Sequence, residues 1–128
     1  MKLILRLHVK TTNLFCLSAY NNRLFKSISN SDNGEVGSQT VFYYFHNLDV
    51  VTGTYSGGKI AFGQIMAKVL EDDSLDMRYQ HVNVSGEIMT GKCLSTPEIL
   101  PNGKIRLHEK WQWTSGDFSE GESIVEEI

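Results

Sequence analysis

From Arg23 to Ile128, short runs of β-branched and aromatic residues alternate with clusters of Gly, Asn, Asp, Ser and Pro, and the intervals are too short for crossover helices. The runs are Arg23–Ile28, Thr40–His46, Val50–Ser56, Lys59–Leu70, Leu75–Val84, Glu87–Ser95, Lys104–Thr114 and Glu122–Ile128. They predict about eight strands joined in sequence order. Between them, Asp32-Asn33-Gly34, Ser56-Gly57-Gly58, Asp72-Asp73-Ser74, Ser85-Gly86 and Pro101-Asn102-Gly103 supply the positive or preset φ values that hairpins need. A helix is the alternative for Gly63 to Leu70, although it is only two turns long and opens on a glycine. Eight such strands bury one face each and lose their edges by closing. The expected fold is therefore all-β, an antiparallel meander closing into a small calycin- or lipocalin-like barrel. An interior of that size holds side chains or one small ligand.

The length of 128 residues predicts a single domain. With 41% hydrophobic and 21% charged residues, the composition is that of a globular chain. No apolar run is long enough to span a bilayer, and two cysteines, Cys16 and Cys93, are too few for a disulfide framework. Free thiols and a cytoplasmic location are expected, with no membrane partner. The net charge of -3 hides an asymmetry: Lys2, Arg6, Lys10, Arg23 and Lys26 face no acid in the first 31 residues, leaving 7 basic and 15 acidic residues beyond. Residues 1–19 read as a basic, poorly ordered extension and 20–128 as the domain. A targeting peptide is an alternative for the extension, but Arg6 and His8 break its first apolar run.

Period-2 counting puts Ile105, Leu107, Glu109, Trp111 and Trp113 on one face of their strand, and Lys104, Arg106, His108, Lys110 and Gln112 on the other. The first face points inward, and it carries a carboxylate that must be paired or hydrogen-bonded. In the Leu75–Val84 run the inward set is Leu75, Met77, Tyr79 and His81. Glu87–Ser95 is ambiguous: either Ile88, Thr90, Lys92 and Leu94 point in, making Lys92 a partner for Glu109, or Met89, Gly91, Cys93 and Ser95 do. The candidate site is Tyr79, His81, Lys92, Glu109, Trp111 and Trp113. These residues form either a self-satisfied buried network or a polar cluster that orients a small, partly apolar ligand against a tryptophan wall.

Other chemistries are poorly signalled. Gly53-Thr54-Tyr55-Ser56-Gly57-Gly58-Lys59-Ile60 nearly matches a phosphate loop, yet Ile60 stands where a magnesium-binding hydroxyl belongs, and a hairpin explains the glycines. His8, His46, His81, His108 and Cys93 are scattered without metal-ligand spacing, and no G-x-S-x-G elbow exists. No metal and no cofactor are expected. The acidic body disfavours nucleic acid, and a solvated strand face accounts for the basic stripe of Lys104, Arg106, His108 and Lys110.

Four stretches carry a resemblance: Leu75–His81, Met89–Cys93, Ser95–Leu100 and Arg106–Asp117. Over Tyr20–Ile128 the chain resembles a family of small, mostly bacterial proteins often labelled N-acetylglutamate synthase. That label implies acetyl transfer from acetyl-CoA, but the Arg/Gln-x-x-Gly-x-Gly/Ala loop of such acetyltransferases is not in this sequence. The resemblance carries no catalytic residues across.

The leading expectation is a barrel binding a small molecule in its cup. One alternative is an enzyme in which Glu109 and His81 exchange protons with a substrate. The other is a structural module with a filled interior, dimerising through an exposed apolar strand face.

Overall fold

The computed structural model describes residues 19–128. The expectations for the basic arm, including Cys16 and any targeting role, fall on residues 1–18, outside the described residues. Eight strands follow one another: β1 (Arg23–Asn30), β2 (Val41–Asn47), β3 (Val50–Gly57), β4 (Ile60–Val69), β5 (Leu75–Asn83), β6 (Ile88–Ile99), β7 (Ile105–Trp113) and β8 (Glu120–Glu127). Each pairs antiparallel with the next, and β8 returns to β1, closing the barrel. The expected meander and its closure are both present.

The hairpins follow their turn residues. At the β3–β4 corner Gly57 has φ 114° and Gly58 φ 64°, and a Cβ on Gly57 would stand 2.0 Å from the Gln39 carbonyl oxygen. The glycine run therefore makes a turn where only glycine fits.

The strand expected over Lys59–Leu70 is present and its helical alternative is not, while one other strand is longer than expected. The segment Gly63–Leu70 is not helical: β4 alternates Ile65, Ala67 and Val69 inward with Gln64, Met66 and Lys68 outward, and pairs with β3 and β5 on either side. Two ladders outweigh the marginal stability of a two-turn helix. Strand β6 runs past Ser95 to Ile99 and includes Pro97. Pairing with β5 ends at Leu75–Ser95, so among the described residues this stretch pairs with β7 alone, and a residue without an N–H is tolerated there.

The barrel has a plugged end and a cupped end. At the plugged end, Phe25, Val51, Val69, Leu75, Ile105, Leu107 and Val125 are fully buried. Tyr20 lies across them, donating its hydroxyl to the Asp73 carbonyl at 2.9 Å and its backbone N–H to His46 Nδ1 at 3.2 Å. Aliphatic packing of this kind supplies most of the folding free energy, at roughly 1.5–3 kcal/mol per buried large side chain. The opposite end is aromatic and polar, and the loop Ser31–Thr40 between β1 and β2 crosses it.

Candidate functional site

Beneath that loop lies a cavity of about 50 Å³, bounded by Asn30 at the end of β1, by the inward side chains of β2 to β8 and by Gly34, Glu35 and Val36 of the loop. Its floor is Glu109. The carboxylate accepts a hydroxyl from Ser95 of β6 at 3.0 Å and one from Ser123 of β8 at 3.1 Å, and the Cys93 thiol also reaches it. Burial raises the acid above its ordinary range, and the three hydrogen bonds only partly counter this. Among the described residues, no Lys or Arg pairs with it.

Three of the aromatic walls are set by a repeated device. Tyr55, Tyr79 and Trp111 each face a glycine directly across the ladder: Gly63, Gly91 and Gly121. Each ring lies over its glycine so closely that a Cβ there would sit 2.2–2.3 Å from it. The missing side chains let the rings lie flat against the wall, which keeps the cup from filling. Phe42, Tyr44 and Trp113 complete the ring, with Trp111 and Trp113 meeting edge-on at 5.6 Å between centroids. Both indole N–H groups are already used, Trp111 donating to Asn30 Oδ1 at 3.1 Å and Trp113 to the Asn33 carbonyl at 3.0 Å. The tryptophans therefore offer the cavity their π faces.

At the mouth, His81 Nε2 is 2.7 Å from Glu35 Oε1, and Nδ1 is 2.8 Å from the Tyr55 hydroxyl. A carboxylate only accepts, so Nε2 carries the proton and Nδ1 accepts from Tyr55 when the ring is neutral. Asn83 Nδ2 donates to Glu35 Oε2 at 3.0 Å and so ties the same loop. By contrast, Tyr44, which is 1% exposed, and Tyr79 line the cavity with hydroxyls that have no hydrogen-bond partner among the described residues. Burial raises the pKa of all three cup tyrosines and of Cys93, so they remain protonated at neutral pH.

Of the residues expected at the site, Tyr79, His81, Glu109, Trp111 and Trp113 come together around this one cavity. Lys92 does not. The second register holds on β6, with Gly91, Cys93 and Ser95 inward, and Lys92 stands exposed on the outer wall opposite Arg78 and Gln112. The small side chains at 91, 93 and 95 are what the crowded interior can accept. His81 takes Glu35 as its acid, not Glu109, which lies four residues below Trp113 on β7, roughly 13 Å along the strand.

Sequence reasoning missed Glu35, Asn30, Phe42, Tyr44, Tyr55, Ser95 and Ser123. The readable signal was a glycine one cross-strand step from an aromatic, repeated three times. On the outer wall, Arg106 pairs with Glu126 at 2.6 Å and His108 with Glu98 at 2.8 Å, so two of the four residues of the basic stripe have an acid of their own. No group of three His, Cys, Asp or Glu side chains is placed to hold a metal among the described residues.

An eight-stranded up-and-down barrel with a cup inside one end is a calycin-type barrel. The chain belongs to the family described as Avidin-like protein, which it matches over residues 18–128. No match is found among curated proteins or among solved structures.

Proposed function

We propose that this protein binds a small, partly apolar molecule in the cup, with Glu109 at its base and the aromatic ring around it. The observation that carries this is a pair of cup-lining tyrosines, Tyr44 and Tyr79, whose hydroxyls have no hydrogen-bond partner among the described residues. Polar groups in a filled core find partners, whereas these two line a cavity beside a carboxyl group. The family supports the same reading, since avidin-like barrels bind small ligands such as biotin. The cavity of about 50 Å³ is well below the roughly 300 Å³ of an ordinary ligand pocket, so it holds the head of a ligand. A molecule of biotin's size enters fully only if the Ser31–Thr40 loop lifts.

Acid–base catalysis by a Glu109–His81 pair is not part of the proposal, because the two side chains take different partners. Acetyl transfer between acetyl-CoA and glutamate rests on the resemblance alone. A homodimer remains proposed through the outer face of β2, where Val41, Tyr43 and Phe45 are about 40% exposed and the rings of Tyr43 and Phe45 lie 4.5 Å apart. Sedimentation of the purified chain decides that point.

The test is a thermal-shift screen of the full chain against biotin, acetyl-CoA, glutamate, N-acetylglutamate and a broader metabolite panel. A ligand held at 100 times its Kd stabilises the native state by about 2.7 kcal/mol, a shift of several degrees. A saturable shift supports the cup reading, and one that needs acetyl-CoA and glutamate together replaces it with the transferase. No shift across the panel moves the reading to a structural module.

A further inference from the structure

We propose that the molecule held in the cup is a small organic cation, an alkylammonium head group seated against Glu109 and ringed by Phe42, Tyr44, Tyr55, Tyr79, Trp111 and Trp113. This rests on the cup being a ligand site and goes beyond it by assigning the charge of the ligand.

The charge balance of the cavity comes first. The lining residues include two acids, Glu35 and Glu109, and no Lys or Arg. Glu35 has His81 and Asn83 as partners, but among the described residues Glu109 is held only by hydroxyls and a thiol, neutral donors that leave its charge uncompensated. Each carboxylate oxygen can accept more than one donor, so capacity remains on both. Inside the cup an anionic ligand would meet Glu109 with no Lys or Arg among the described lining residues, whereas a cation would complete the pair.

The walls point the same way. Six aromatic side chains surround the cavity, and the π face of an aromatic ring attracts a cation through its quadrupole. The indole N–H groups, which would serve an anion or a carbonyl, are committed to Asn30 and the Asn33 carbonyl. Tyr44, 1% exposed, lines the same space, and its hydroxyl, with no hydrogen-bond partner among the described residues, is able to accept from an ammonium N–H or to donate to a carboxylate. The volume also fits: 50 Å³ holds roughly three to five water-sized groups, the bulk of a methylated ammonium head.

The experiment compares three probes of one shape on the full chain: tetramethylammonium, tert-butanol and pivalate, at constant ionic strength. The chain has two tryptophans and both line the cup, so intrinsic emission reads occupancy directly. Tetramethylammonium is expected to shift the emission saturably, with tert-butanol at least tenfold weaker and pivalate weaker still. Glu109→Gln should weaken tetramethylammonium at least tenfold and leave tert-butanol within twofold.

If that variant does not fold, the wild-type pH profile takes its place, since tetramethylammonium has no proton to lose. Its affinity should fall as the solution is acidified and Glu109 protonates. Of the groups around Glu109, Tyr44 on β2, Tyr55 on β3, Tyr79 on β5 and Cys93 on β6 stay protonated throughout; His108 and Lys110 of β7 and Glu122 of β8 border the outer groove that Glu109 also lines, and the profile is repeated in His108→Gln, which should keep it. Glu35 and His81 also line the cup, so Glu35→Gln and His81→Gln are titrated beside the wild type: a fall on acidification that survives in both, whatever their loss of affinity, belongs to Glu109, and a profile abolished in either overturns the assignment. Equal or tighter binding of tert-butanol or pivalate overturns the cation assignment while leaving the cup a ligand site. No response to tetramethylammonium also overturns it, and the metabolite screen then decides the cup separately.

Discussion

His81 on the barrel wall holds Glu35 of the β1–β2 loop through a 2.7 Å contact between Nε2 and Oε1, with the imidazole side chain 1% exposed and the carboxylate 24%. This contact and the Asn83 bond to the same carboxylate latch the loop over the cup. Glu35→Ala should release it. Amide exchange across Ser31–Thr40 is expected to quicken, ligand dissociation to speed up several-fold, and stability to fall by about 1–2 kcal/mol, since the latch is partly screened by solvent. Unchanged exchange in the loop would mean that its own bonds, such as Asn30 to the Val36 carbonyl at 2.9 Å, hold it without Glu35.

Glu109 gives a pH signature to stability. Its pKa is raised in the folded protein, chiefly by burial, above the ordinary 4.5. The raised value favours the protonated acid in the native state. Its stabilising contribution is complete below pH 4.5 and is lost as pH rises through the folded-state value. Glu109→Gln removes the ionisation, so the variant should melt higher than wild type at pH 7–8, with the difference closing as pH falls towards 4. A variant that melts lower by the same margin at every pH would show that the hydroxyl network, and not ionisation, dominates.

Gly91→Ala places a methyl group 2.2 Å from the Tyr79 ring and should push it into the cup. Overpacking of this kind costs about 1–3 kcal/mol, and ligand affinity should fall with it. In a Tyr79→Ala background the same change should cost under about 0.5 kcal/mol, because the clashing ring is gone. Full additivity in that cycle would mean that the glycine is needed for its backbone and not for the ring it accommodates.

The strands were legible because their hydrophobic alternation and turn residues agree. Ile105, Leu107, Trp111 and Trp113 all point inward as their spacing predicts. Register was harder where both faces offered similar residues. Lys92 is the ambiguous case because Ile88 and Leu94 share its face while Met89 and Cys93 lie on the other, and the space beside Tyr79 and Trp111 decides that Gly91 and Cys93 go in. Tyr44 was hidden because Val41 to Phe45 is apolar on both faces. Glu35 could not be read at all: it sits in an irregular loop with no periodicity, and its partner His81 is 46 residues away.

The central claim is that the cup is a binding site. The most direct measurement is a titration of the full chain with a ligand from the thermal screen, recording tryptophan emission and melting temperature on the same samples. The account predicts that both saturate with one midpoint, because Trp111 and Trp113 are the only tryptophans of the chain and both line the cup. It predicts too that Gly91→Ala weakens both together. A ligand that raises the melting temperature while leaving the emission unchanged would place its site elsewhere and contradict the account.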